Sequence, residues 1–191
     1  MNHLKHQLIR KRILLPLFLV VLVLVLFNTR WLAWIYPIEY KNEIRAHASA
    51  YQVDPFLIAS IIRVETNFQP SKESKKGALG VMQLMPDTAQ WVMDKAHLNN
   101  VSMDTVKHDV DPNIEIGTWY LGNLMQQFGG NEIAVIAAYN AGPSKVKSWI
   151  SNGQWDGTLE HAKDIPYGET RHYVQRVLYY YKQYTKLYDA F

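Results

Sequence analysis

The sequence predicts a mainly α-helical protein, one compact helical domain preceded by a single N-terminal transmembrane helix. Three observations carry that expectation. Apolar residues recur at helical spacing from residue 39 to the end, and no run alternates with the period of a strand. Helix starts and stops are marked by Asp-Pro, Asn, Gly-Gly and Gly-Pro punctuation. Ahead of these, residues 13–27, "ILLPLFLVVLVLVLF", form one unbroken apolar run behind Lys5, Arg10, Lys11 and Arg12.

As a helix that run covers about 22 Å, short of a bilayer core of about 30 Å. Continued to Ile35 it reaches about 34 Å, with Arg30 able to snorkel and Trp31, Trp34 and Tyr36 suited to the interface. A cleaved signal peptide is the competing expectation, but "TRWLAWIYP" is bulky and offers no small-x-small site. Residues 1–36 are therefore read as a cytoplasmic basic start plus an anchor, held in the cytoplasmic membrane through residues 13–35. The positive-inside rule puts the domain at 37–191 on the extracytoplasmic side of a single-pass membrane protein. The absence of cysteine excludes a lipidated cysteine and any disulfide.

In chain order, "EYKNEIRAHASAYQV" (39–53) reads as a first amphipathic helix. Asp54-Pro55 supplies an N-cap and a first-turn proline for the next helix, which Pro70 prevents from running much farther. "SKESKKGALG" (71–80) is a polar, glycine-punctuated loop, and "PDTAQWVMDKA" (86–96) begins another helix. Asp111-Pro112 repeats the cap-and-proline device before "NIEIGTWYLGNLMQQF", which Gly129-Gly130 ends. Asn131 caps "EIAVIAAYN", stopped by Gly142-Pro143, and Ser144 caps the short "KVKSWI". A loop rich in Gly and Asp leads to a long final helix, "TRHYVQRVLYYYKQYTKLY". The expected total is about seven helices, without internal repeats.

Charge excludes one class of partner. Residues 1–36 hold five of the 20 basic residues and none of the 17 acidic ones, so the domain itself is mildly acidic. It offers no electrostatic footprint for nucleic acid. The seven histidines are scattered, with no His-x-x-x-His pair or Asp-rich loop, and two glycine pairs do not make a phosphate loop. No metal and no cofactor are expected.

One residue breaks the apolar pattern. In "IASIIRVETNF", Glu65 shares a helical face with Ile58, Ile61 and Ile62, and it lies in the last turn, where the helix dipole disfavours a carboxylate. A carboxyl group at the solvated margin of an amphipathic helix is the ordinary reading. Low dielectric and the dipole would instead favour the neutral form, which a general acid must hold. Farther on, "GALGVMQLMPDTA" places a lone amide, Gln83, among apolar neighbours, and "IAAYNAGP" sets Tyr139 and Asn140 just before a glycine stop. Tight-turn glycines and an ordinary helix cap account for part of each segment.

Together, "RVETNF", "GALGVMQLMPDTA", "AAYNAGP" and "IPYGETRHYVQRV" resemble, in order and spacing, the motifs of the lytic transglycosylases of the soluble, goose-lysozyme-like type. The resemblance spans Glu43 to Tyr184 and implies a lysozyme-like helical fold with a groove for peptidoglycan glycan strands. It also implies cleavage of the β-1,4 bond between N-acetylmuramic acid and N-acetylglucosamine, leaving a 1,6-anhydromuramyl end. Carried over by motif, Glu65 is the catalytic acid, Met82 and Gln83 line the groove, and Tyr139 stands near the reacting sugar. Asn140 supports that turn, and Glu169 lies by the groove and the stem peptide. Thr66 stands where the family usually has serine, keeping the hydroxyl, and "GVMQ" replaces "GLMQ".

A single-glutamate mechanism suits this sequence. Glycosidases commonly flank the bond with two carboxylates, whereas Glu73 and Asp87 read as a solvated loop residue and a helix-start residue. The family's substrate supplies the missing groups, its N-acetyl oxygen and its own C6 hydroxyl. A hydrolytic muramidase on the same fold and a non-catalytic peptidoglycan-binding protein are the alternatives. Cell-wall machinery partners, if any, are not legible. Trp119 and Trp149 are expected in the core, while Trp155, in the glycine-flanked "NGQWDG", is a lesser candidate for stacking on sugar.

Overall fold

A computed structural model of the chain describes residues 14–24 and 33–189. It divides into two units, Met1–Pro37 and Ile38–Phe191. In the first, residues 14–24 are helical (α1) and their apolar side chains are exposed. Among the described residues no helix is long and apolar enough to cross a membrane. Much of the expected span, residue 13 and residues 25–32, lies outside the described residues.

The second unit is helical, and among the described residues it contains no strand beyond isolated bridges that pair Leu79 with Glu73 and with Leu84. Its helices are α2 (Lys41–Tyr51), α3 (Pro55–Glu65), α4 (Pro86–Ala96), α5 (Met103–His108), α6 (Val110–Gln127), α7 (Glu132–Ala141), α8 (Pro143–Ser151) and α9 (Gly168–Leu187). A 3-10 turn at Ala162–Asp164 precedes α9.

Two helices form the interior. α3 is not a half-buried amphipathic helix, because Leu57, Ile58, Ala59, Ser60, Ile61, Ile62 and Val64 are all buried. α9 packs along one side of it and α2 along another. The fully buried Ile58, Ile61 and Ile62 each contribute about 1.5–3 kcal/mol. Ala134, Val135, Ile136, Ala137 and Ala138 of α7 are buried in the same way, and the three small alanines let α6, α8 and α9 approach. A helix apolar on every side belongs inside a domain. A polar group at the end of one therefore has core on its inner side.

The start signals hold where the cap is a side chain. Asp54 Oδ1 accepts from the Phe56 amide at 2.7 Å, and Asn131 Oδ1 accepts from the Ala134 amide at 3.1 Å. Other boundaries differ from expectation. α8 begins at Pro143 after Gly142, so Ser144 lies inside it and is not its cap. α6 begins at Val110, and Asp111 sits in its first turn, where its Oδ1 meets His47 Nε2 at 2.8 Å. α5 was not foreseen, and the Ser102–Thr105 capping box that starts it explains six helical residues in a polar stretch. Trp155 is no sugar platform: it is 2% exposed and its Nε1 donates to the Thr158 carbonyl at 3.0 Å. Trp149 is buried as expected, and Trp119 is partly so.

Candidate active site

α3 ends at Glu65, and its C-terminal turn opens into a cleft of about 370 Å³. Glu65, Ala78, Gln83, Met85, Tyr139 and Glu169 line it, together with Lys75 and Lys76 of the 71–80 loop. The chain thus brings α3, the glycine-punctuated loop, the end of α7 and the start of α9 to one place. Four of the sequence-derived candidates, Gln83, Tyr139, Asn140 and Glu169, share this cleft with Glu65.

Glu65 is half-buried, and Tyr173 of α9 donates its hydroxyl to Oε1 at 2.8 Å. Burial pushes the carboxyl up from the ordinary 4.5 to about 7. The Tyr173 hydrogen bond and the charges of Arg176 and Lys72 act in the opposite direction, and Glu169 adds a small upward push. Desolvation is the larger effect. Near neutral pH this acid therefore holds its proton part of the time while remaining able to release it.

The neighbouring phenols stay neutral. Burial first, then the Glu65 charge, raise Tyr139 and Tyr173 well above the usual phenol range. Tyr139 donates to the Met82 carbonyl at 3.0 Å, which ties the end of α7 to the loop. Asn140 Oδ1 accepts from Thr170 Oγ1 at 2.7 Å, so it joins α7 to α9.

Two candidates support the cleft from beneath. Thr66 is 2% exposed, and its hydroxyl donates to the Val81 carbonyl at 2.8 Å, fixing the loop behind Glu65. Met82 is fully buried and does not line the groove. Its sulfur lies against Gly117 of α6, where a Cβ would come within 2.3 Å of it. Gln83, held at φ 51°, donates from Nε2 to the Gly80 and Lys72 carbonyls at 2.9 and 3.1 Å. Both amide protons are spent on the loop, leaving its carbonyl oxygen for the cleft.

Sequence reasoning missed the residue that assembles the cleft floor. Asn113 of α6 is fully buried, accepts from the Met82 amide at 2.9 Å, and donates to the Leu79 and Val106 carbonyls at 3.0 and 2.8 Å. Gly80 serves it: at φ +69°, a Cβ there would stand 2.1 Å from Asn113 Nδ2. Tyr173 and Arg176, whose Nη2 donates to the Val64 carbonyl at 3.3 Å, were also missed. A signal existed for Tyr173, since it lies on the buried face of α9 with Val174 and Val177, as Glu65 does on α3.

Glu169 is different in kind. Its side chain is 76% exposed at the cleft rim, 3.9 Å from the equally exposed Lys76. Such a pair is screened by water and holds little.

Most of the chain is similar to known proteins. The transglycosylase SLT domain family matches residues 42–161. A soluble lytic murein transglycosylase of Escherichia coli K12 is 37% identical over 147 residues, 76% of this chain and 23% of its own length. A membrane-bound lytic murein transglycosylase C of Edwardsiella ictaluri is 33% identical over 117 residues, 56% of this chain and 32% of that protein. The crystal structure of the 70-kDa soluble lytic transglycosylase of Escherichia coli superposes with a TM-score of 0.74 and 34% identity, over 81% of this chain and 26% of that one. An inactive mutant of a Pseudomonas aeruginosa lytic transglycosylase gives 0.72 and 33%, over 82% and 26%. The chain spans about a quarter of the length of the curated soluble relatives it matches.

Proposed function

The chain belongs to the transglycosylase SLT domain family, and from that premise we propose that it is a peptidoglycan lytic transglycosylase with Glu65 as its single acid and base. The reaction is cleavage of the β-1,4 bond between N-acetylmuramic acid and N-acetylglucosamine, with a 1,6-anhydromuramyl end as product. The observation that carries this reading is the buried Glu65 carboxyl, raised to about 7 and facing a cleft beside Tyr139.

With Oε1 engaged by Tyr173, Oε2 is the oxygen that presents the proton to the leaving glycosidic oxygen. The resulting carboxylate is stabilised by the Tyr173 hydroxyl and by the charges of Arg176 and Lys72. It then takes a proton from the substrate's C6 hydroxyl as that oxygen closes on the anomeric carbon. An internal nucleophile already held near its target has a large effective molarity, so no bound water is required. The substrate's N-acetyl oxygen shields the anomeric carbon between the two steps. Gln83, Tyr139 and Asn140 hold the sugar or its wall. Thr66 and Met82 act from beneath by fixing the loop, and Glu169 meets the stem peptide at the rim.

One observation favours a second reading. Glu169 is another carboxylate in the same cleft, so a hydrolytic muramidase could use it to activate water. Its open, lysine-paired setting gives it no positioning toward a reacting atom. Mass analysis of muropeptides released from purified cell walls separates the two, because anhydro ends are lighter by one water. The proposal expects anhydro ends from the wild type and none from Glu65→Gln; reducing ends would overturn it.

The proposal also places the enzyme on the cytoplasmic membrane, with the domain at 37–191 outside. The apolar run at 13–27 and the exposed apolar helix at 14–24 support that placement. Membrane fractionation tests it: the full chain should resist alkaline carbonate extraction, and recovery in the carbonate-soluble fraction would reject the anchor.

A further inference from the structure

α9 is two-sided along most of its length. Tyr173, Val174, Val177 and Tyr184 are buried, on the side where the helix packs against α3 and α7. At helical spacing the opposite side carries His172, Gln175, Arg176, Tyr179, Lys182 and Lys186, all exposed, Tyr179 to 49%. From His172 to Lys186 the chain has no acidic residue. Among the described residues neither Lys182 nor Lys186 forms an ion pair. A solvated helix face commonly alternates charges of both signs. This ridge holds one sign only.

The ridge ends where the domain begins. The Ile38 amide hydrogen-bonds the Tyr188 hydroxyl, and Lys41 Nζ of α2 lies 4.8 Å over the Tyr188 ring. The last turn of α9 is thereby tied to the first residues of the domain. Along the ridge, Tyr179 meets Tyr180 edge-on at 5.3 Å and 78°, and the Arg63 guanidinium lies 5.3 Å over the Tyr180 ring. The exposed phenol thus stands on a fixed base.

Resting on the membrane placement proposed above, we infer that this ridge of α9 is a docking surface for a layer of anionic phospholipid headgroups. Lys182 and Lys186 supply charge that such a layer attracts, and a tyrosine is suited to the membrane–water boundary. Ile38 follows the proposed anchor by three residues, so covalent reach alone keeps this end of the domain within about 10 Å of the bilayer surface. The acidic residues near that end, Glu39, Glu43 and Asp189, lie outside α9 and off its ridge. A soluble polyanion would use the lysines but has no need of the phenol or of the nearby anchor. At its other end α9 begins beside the cleft with Glu169, about 25 Å along the helix from Lys186. Docking the ridge therefore sets the height of the cleft above the membrane.

The chain has no cysteine, so Gln175→Cys on the ridge and Gln90→Cys on α4 each accept a single environment-sensitive fluorophore. The full chains are reconstituted in phosphatidylcholine vesicles with and without phosphatidylglycerol in both leaflets. Emission at position 175 should move to shorter wavelength, and be quenched by a headgroup-borne nitroxide, only where phosphatidylglycerol is present. Position 90 should stay water-like in both. Lys182→Gln together with Lys186→Gln should lower the docked-to-free ratio roughly 20-fold, about fivefold for each charge lost. Circular dichroism and the rate of muropeptide release from isolated walls should not change in that double variant, and raised salt should reproduce its effect on the label. A water-like label at 175 in phosphatidylglycerol vesicles would overturn the inference. So would an equal shift in neutral vesicles, in the double variant or at position 90, or a response to soluble polyphosphate with none to vesicles. If carbonate releases the full chain, the membrane placement itself fails. If the chain resists carbonate and position 175 stays in water, the ridge alone is rejected.

Discussion

Glu65 and Glu169 are the same functional group in the same cleft, and their surroundings give them opposite characters. Glu65 stands at the end of a helix buried on all sides, under a tyrosine hydroxyl, and burial raises it to about 7. Glu169 stands in the first turn of α9, 76% exposed and facing a lysine across 3.9 Å of solvated rim. Burial, not residue type, makes Glu65 an acid able to donate near neutral pH.

The sharpest way to break this contrast is to make each carboxyl an amide. Glu65→Gln should lower wall-cleaving activity by about 10²–10⁴-fold, measured as the rate of muropeptide release. Glu169→Gln should cost a few-fold at most. A large loss in that variant would promote Glu169 to a catalytic base and erase the distinction.

Stability should show the same contrast with the opposite sign. The folded Glu65 carboxyl titrates near 7 against about 4.5 when unfolded, so the unfolded chain gives up this proton first as pH rises. Folding stability therefore falls between about pH 4.5 and 7, and the full penalty is present above 7. Glu65→Gln should relieve it, stabilising the protein on the order of 1–3 kcal/mol at pH 8 and hardly at all at pH 4. Urea midpoints at the two pH values read this directly. An equal effect at both would show that Glu65 is solvated.

The buried wall also depends on its floor. Asn113→Ala removes an acceptor and a double donor from a site without water-facing atoms. A loss of about 2–4 kcal/mol is expected in urea unfolding. Lys76→Gln on the rim should leave the urea midpoint within error. A smaller effect belongs to Tyr173→Phe. Without that hydroxyl the Glu65 carboxylate loses its hydrogen-bond donor, its pKa climbs further, and the alkaline fall in activity moves to higher pH with a few-fold change in rate. A pH–rate profile that shifts the other way would show that Tyr173 does not stabilise the carboxylate.

The helices were legible because their starts are written in local chemistry: Asp54 and Asn131 cap through side chains that any reader of the chain can name. Glu65 was legible as a carboxyl where the period demanded an apolar group. Asn113 was not, because its three partners lie 7 to 34 residues away and no pattern near it announces them. Gln83 and Met82 were placed in the right loop, but which side chain faces the cleft depends on the φ of 51° at Gln83 and the gap at Gly117. Trp155 sat in a loop by every local sign and was buried by the fold. Periodicity reports which face is inside, whereas tertiary contacts decide what that face meets.

The hydrogen bond from Tyr173 to Glu65 crosses 108 residues of chain. During synthesis α3 exists long before α9 does, and until the last helix docks Glu65 lacks the Tyr173 hydroxyl. A nascent or C-terminally clipped chain thus lacks the surroundings that the proposed proton donor needs, and these form only as the fold is completed.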